Sequence, residues 1–340
     1  MILLHEHALK DFNEYGIAIP QSGDRALGVY RALLDHERLG PLREHWLYSG
    51  EMDPITRHDL VRVHAPEYVD QLLSDHPEPA IMEAYELDKD DLTSGRYAPD
   101  RATKPLQELV VKSLANVSGT HQACRQALQS GFCYFLGGGM HHAMHSRGRG
   151  FCLLNDIVIA IRKLRAEGRI ERAWIIDVDA HKGDGTAALC LEDEQTMTLS
   201  IHMARGWPLD SPAFDEHGRL QPWRYPSTVD IPIEAGGEEF YLDALEHGLR
   251  LLFALCSGKG PDLVVVVDGS DPYEHDELPG TKTLKLNREE LYARDMFLYD
   301  WFKRREISQA YLMAGGYGKK SWQIYASFLI PVLLDRYARE

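Results

Sequence analysis

The sequence predicts an α/β fold of three layers, α/β/α, with a central, mostly parallel sheet. Short apolar, β-branched runs such as Ala173–Val178 and Leu263–Val267 suit strands buried on both faces. Between them lie segments with apolar residues at helical spacing, as in Leu106–Gln129 and Phe240–Cys256. Strand alternating with helix along the chain is the pattern of a parallel sheet sandwiched by helices. At 340 residues, with nothing resembling a linker, the expectation is one domain over residues 1–340.

In order, the first hundred residues are the least regular. They suggest a strand at the start, a helix near Arg25 to His36, and another helix beginning in Asp59 to Tyr68. A long helix follows Pro105, and then a short strand, Cys133–Leu136, runs into Gly137, Gly138, Gly139, Met140, His141 and His142. The glycines make no phosphate loop, because neither Gly-Lys-Ser/Thr nor Gly-x-Gly-x-x-Gly is present. Asn155 to Glu167 reads as a helix ended by Gly168, and Thr196–His202 as a strand. Residues 203–237, rich in Pro, Gly, Trp and Asp, read as a long surface loop. A helix from Glu289 to Arg304, a strand Ala310–Met313 and a last helix from Ser321 to Tyr337, kinked at Pro331, complete the chain.

Composition narrows the function. With 44% hydrophobic and 26% charged residues this is an ordinary globular chain. A net charge of -15 argues against a nucleic-acid partner and favours cationic ones. Five cysteines without Cys-x-x-Cys spacing read as free thiols in a reducing compartment. The N-terminal residues lack an apolar signal core, and no segment approaches the ~20 apolar residues of a membrane span. A cytoplasmic protein without membrane contact is expected.

The chemistry collects where apolar runs end. His141 and His142, Asp177 to His181, Asp271, and Tyr317 each follow a separate predicted strand. Ligands of open parallel sheets bind outside the strands' carboxyl ends, so these groups can converge on one crevice. Alone, Asp-x-His is weak, since acids after a strand commonly cap a helix. Together, Asp179, His181 and Asp271 offer three N/O ligands to zinc with a position left open. Two further histidines suit proton transfer, Asp177 and Asp184 can fix their tautomers, and Tyr317 can face a developing oxyanion. His64 and His202 read as structural or surface residues.

The motifs Gly137-Gly-Gly-Met-His141-His142-Ala, Gly150-Phe151-Cys152-Leu-Leu-Asn155-Asp156, Asp177-Val-Asp179-Ala-His181-Lys-Gly183-Asp184-Gly185, Gly269-Ser-Asp271-Pro and Gly315-Gly-Tyr317 occur here in order. In this the chain resembles the histone deacetylase family, and Asp59 to Tyr68 is similar to that family's N-terminal stretch. The resemblance implies the arginase/deacetylase fold, with zinc (or iron(II)) on Asp179, His181 and Asp271. It implies His142 as general base and then acid, His141 as its electrostatic neighbour, Asp184 and Asp177 as their orienting acids, and Tyr317 on the substrate carbonyl. It further implies a potassium ion near Asp177, Asp179, His181, Ser200 and Ile201. A substrate tunnel would be lined by Gly150 and Phe151, with Trp207 and Leu278 at its rim.

Lys182 stands where the family usually has His or Gln, and His275-Asp276-Glu277 replaces its Gly-Asp-Pro. The Gly-Phe-Cys context and the Gly-Gly-Tyr-Gly-Lys-Lys ending look closest to the class IV branch and its bacterial relatives. The implied substrate is an acyl-lysine peptide or protein, with acetyl or a longer acyl group. Alternatives are an acetylpolyamine or other acylated small amine, an arginase-like ureohydrolase, and a non-catalytic acyl-lysine binding module. The sequence leaves the oligomeric state open.

Overall fold

A computed structural model describes residues 1–21, 24–87 and 96–338. Seven strands form one sheet: β1 (Ile2–Leu3), β2 (Phe132–Phe135), β3 (Ala173–Asp177), β4 (Thr196–Met203), β5 (Val229–Ile233), β6 (Leu263–Asp268) and β7 (Ser308–Met313). Their order is β1-β2-β7-β6-β3-β4-β5 and every pairing is parallel. The expected mostly parallel sheet is therefore wholly parallel.

The helices are α1 (Asp24–Asp35), α2 (Arg43–Trp46), α3 (Arg57–Leu60), α4 (Pro66–Leu72), α5 (Glu78–Ala84), α6 (Glu108–Ser130), α7 (Asp156–Ala166), α8 (Asp184–Cys190), α9 (Tyr241–Leu255), α10 (Arg288–Lys303) and α11 (Ser321–Tyr337). Strand parity divides the core. Leu263, Val265 and Val267 of β6 pack with α6 and α7, while Val264 and Val266 pack with α1, α9, α10 and α11. That is why this strand is apolar at every position.

Three elements differ from expectation. Within the predicted loop 203–237, Val229–Ile233 pairs with β4, with Pro232 opposite His202. Proline lacks the N–H a central strand needs, and β5 is the sheet's edge, where that loss is tolerated. Asp59 to Tyr68 is two helices, not one. The Asp59 carboxylate turns back on the Thr56 N–H to cap α3, and Pro66 starts α4 afresh. Asp184, read within a glycine turn, opens the short helix α8. At the C-terminus the helix continues through Pro331 to Tyr337.

Candidate active site

The carboxyl ends of four adjacent strands, β2, β7, β6 and β3, carry the predicted residues and bring them together. The glycine segment after β2 is fixed by the buried Asp156 carboxylate. It accepts the N–H of Gly139 at 3.0 Å and of Met140 at 2.7 Å, and also the Thr120 hydroxyl. This clamp aims His141 and His142, whose rings lie 3.9 Å apart.

Each histidine has its own carboxylate. His141 Nδ1 meets Asp177 Oδ2 at 2.7 Å, and His142 Nδ1 meets Asp184 Oδ1 at 2.6 Å. Their acidities nevertheless diverge. Burial opposes charge on His141, but Asp177 and Asp179 outweigh it and raise the imidazole to about 9. Burial, and then the positive His141 beside it, push His142 down to about 4. At neutral pH His142 is thus uncharged. Its Nδ1 carries the hydrogen given to Asp184, which leaves Nε2 with a free lone pair. Arg149 supports the other Asp184 oxygen at 3.2 Å.

Asp179, His181 and Asp271 present ligand atoms all within 4.8 Å of one another, and all three are buried. His181 Nδ1 lies 3.2 Å from Asp179 Oδ1 and 3.2 Å from Asp271 Oδ2. Against the cost of burial, these carboxylates raise His181 to about 10, so the cluster favours a positive charge. Asp271 Oδ2 has no hydrogen-bond partner although buried. Two carboxylates, one imidazole and an unsatisfied buried oxygen fit a divalent ion.

Tyr317 lines the same cavity as both histidines, Asp179, His181, Gly150 and Phe151. Burial, with the charges of Asp271 and Asp179, holds its phenol well above the usual value, so it stays a donor. Two residues to which sequence reasoning gave no role position it. Arg25 donates to the carbonyls of Ala314 at 2.7 Å and Gly316 at 2.9 Å, and Asp276 accepts the Tyr317 N–H at 2.7 Å. The middle residue of the altered His275-Asp276-Glu277 segment was the available signal for Asp276. The single Arg25 carried none.

Around the mouth, the Trp207 ring stands 4.5 Å from His142, and Arg149 lies over Trp207 at 5.0 Å. Gly150 has φ +55°, and a Cβ there would fall 2.6 Å from His142 and closer still to Trp207. Phe151 also takes positive φ, +66°. Half-buried Leu278 donates its N–H to Asp276, on the loop that brings Gly280 beside His181. Ser200 sits opposite Asp177 in the β3–β4 register, with Ile201 next along β4.

Lys182, next to His181 in sequence, reaches Asp230 Oδ2 at 2.8 Å. Both histidines set aside from the chemistry are buried. His64 gives its Nδ1–H to the Met144 carbonyl at 2.8 Å and accepts the Asn155 N–H at 3.0 Å, and His202 bonds the Met203 carbonyl.

A wholly parallel α/β sheet thus carries, at its strand ends, a buried Asp-His-Asp group whose donors fit a divalent ion and two His–Asp pairs beside it. The histone deacetylase domain family model matches residues 19–330. An uncharacterized protein of Picosynechococcus is 31% identical over 68% of this chain and 70% of its own length. Acetoin utilization protein AcuC of Staphylococcus xylosus is 28% identical over 84% of this chain and 70% of its own. Histone deacetylase 2 of Arabidopsis thaliana is 26% identical over 79% and 63%. The crystal structure of the HDA15 HD domain superposes with a TM-score of 0.69 at 21% identity, covering 98% of this chain and 88% of that one. The chain belongs to the histone deacetylase family, and that membership supports a deacetylase activity. Among the described residues no helix is long and apolar enough to cross a membrane.

Proposed function

We propose that this protein hydrolyses the amide of an acyl-lysine in a peptide or protein, with zinc, or iron(II) in its place, held by Asp179, His181 and Asp271. The observation that carries the reading is geometric: two histidines 3.9 Å apart, each bonded through Nδ1 to its own buried carboxylate, lie in one cavity with Asp179 and His181 of the Asp-His-Asp group. When bound, the ion would act as a Lewis acid on the acyl carbonyl and on water.

The chain's own residues supply the rest. His142 Nε2 takes a proton from the attacking water, while Asp184 holds the ring by Nδ1. The Tyr317 hydroxyl, kept protonated, donates to the oxygen on which negative charge develops. The C–N bond then breaks as His142 returns its proton to the amine, giving a carboxylic acid and lysine. Asp177 favours the charged form of His141, and that charge disfavours a proton on His142, which keeps the His142 ring neutral before water attacks. A potassium ion beside Asp177, Asp179, His181, Ser200 and Ile201 belongs to the same proposal, supported by the hard oxygen donors that β3 and β4 bring into register there.

Phe151 in the cavity, with the Trp207 ring against His142, supports an apolar acyl-alkyl chain, and the net charge of -15 supports a cationic carrier. A cytoplasmic setting is supported by five free cysteines. Metal analysis should find about one ion per chain, lost in Asp179→Ala/Asp271→Ala. His142→Ala and Tyr317→Phe should keep the ion and lose on the order of a hundredfold or more in turnover. Near wild-type rates in both would overturn the assignment. Turnover of acetylpolyamines with none of acyl-lysine peptides would move the substrate to small amines.

A further inference from the structure

The cavity that holds His142, His181 and Tyr317 does not stop at them. It has a volume of about 120 Å³ and continues to Ala8, Leu9, Lys10 and Phe12, against Asn116 and the Gly137–Gly139 segment. Ala8 and Leu9 are tied to α6 there: Asn116 donates to the Ala8 carbonyl and Lys112 to the Leu9 carbonyl. This part of the wall is therefore built from residues 8–12, held against α6.

Lys10 is the unusual member of that wall. Its ammonium makes one hydrogen bond, to the Tyr85 hydroxyl at 3.4 Å, and among the described residues no carboxylate pairs with it. Tyr85 is itself held between Phe12, 5.4 Å away, and the tunnel residue Phe151, 6.3 Å away. The nearby Asp156 carboxylate is already spent on Thr120 and on the N–H groups of Gly139 and Met140. Arg25, the other cation on the wall, is spent on backbone carbonyls. Lys10, half-buried itself, thus brings two unused N–H donors and an unneutralised charge to the cavity wall. Burial lowers its amine to about 8, which leaves it mostly protonated at neutral pH. A partly desolvated ammonium without a carboxylate gains when a ligand supplies the partner.

We propose that Lys10 makes the inner end of the cavity a carboxylate-binding subsite, selecting acyl groups that carry a distal carboxylate, of the succinyl or glutaryl kind. The inference rests on the amide-hydrolase reading above. The acyl carbon meets the attacking water beside His142, the chain extends inward, and its far carboxylate meets the Lys10 ammonium. Hydrolysis adds water across the C–N bond and releases lysine and a dicarboxylate. Lys10 is a specificity residue and takes no part in bond making.

The test compares peptides bearing succinyl-lysine and its neutral isostere succinamoyl-lysine, with acetyl-lysine as the control for amide hydrolysis. In the wild type, kcat/KM should favour succinyl over succinamoyl by about tenfold or more, the scale of one charge-assisted hydrogen bond. Lys10→Met should bring that ratio to about one or below, while Lys10→Arg should keep it above one. A wild-type ratio near one, or a ratio unchanged in Lys10→Met, overturns the inference even if acetyl-lysine is hydrolysed. So does an effect of Lys10→Met confined to inhibition by free acetate, which would make the ammonium a holder of released product. If none of the three peptides is hydrolysed, the amide-hydrolase reading is what fails, and the subsite is then read by binding. Saturation-transfer NMR on the metal-free protein should show contact with butyrate over butyramide, lost in Lys10→Met. Equal signals in the two proteins would dismiss the subsite.

Discussion

Replacing Arg294 by methionine tests whether the loops that carry Asp179 and Asp271 hang on a buried charge. Arg294, fully buried on α10, donates to Asp268 at 2.9 Å and Asp295 at 2.7 Å, and to the carbonyls of Val178 at 3.0 Å and Gly269 at 2.9 Å. Val178 lies between Asp177 and Asp179, and Gly269 precedes Asp271 by two residues, so one guanidinium ties both ligand segments together. Breaking a buried ion group by removing one partner costs about 3–5 kcal/mol. Burial pushes Asp295 up, Arg294 opposing and Asp268 adding to the shift, so two full negative charges beside Arg294 are disfavoured. Methionine then strands one negative charge, not two, which favours about 3 kcal/mol, and the two carbonyls left without a donor add about 1 kcal/mol more. With a urea m value of about 3 kcal/mol/M, the midpoint should fall by roughly 1 M or more at pH 7. Metal affinity should weaken in the same variant. Asp268→Asn/Asp295→Asn added to Arg294→Met should recover much of the stability, because no charge is then stranded. A single variant within about 1 kcal/mol of wild type, or a triple variant no better than the single, would refute the reasoning.

Two further outcomes are expected. His64 is fully buried and burial depresses it from 6.5 to about 4, so the unfolded chain binds a proton that the folded one refuses. Its share of stability is complete above pH 6.5 and is lost as pH falls toward 4, by about 3 kcal/mol. Urea midpoints across that window should show a slope that is shallower in His64→Gln, and an unchanged slope would remove the assignment. Gly150→Ala adds a Cβ against His142 and Trp207 at positive φ, a strain of roughly 1–3 kcal/mol. Its kcat/KM on acyl-lysine peptides should drop about tenfold or more, and wild-type kinetics would contradict the close packing at the tunnel mouth.

Much of this protein is legible in one dimension, because its strongest signals are local. A strand covered on both faces must be apolar at every position, so Leu263–Val267 and Ala173–Ile176 announce themselves and their alternation with helices gives the layers. Reactive residues at the ends of those strands are legible for the same reason, since a parallel sheet delivers all its carboxyl ends to one side. The edge strand Val229–Ile233 hides because its partner is distant in sequence and its Pro232 signals a loop. Where His64 belongs could not be read either, since its carbonyl and N–H partners lie on segments some eighty and ninety residues further along.

What only the tertiary structure decided is the difference between like residues. His141 and His142 are adjacent and chemically identical, yet their surroundings push the first toward its charged form and the second toward its neutral one. Burial opposes charge on both, and only on His141 do the surrounding carboxylates outweigh it. Lys182, next to His181 in sequence, points to Asp230, while Lys10, remote in sequence, lines the cavity of His142, His181 and Tyr317. Arg25 and Arg294 likewise gain meaning only from the carbonyls they reach. Residue type and periodicity fix which groups can do chemistry. Their charge and reach depend on neighbours that the fold alone brings within a few ångströms.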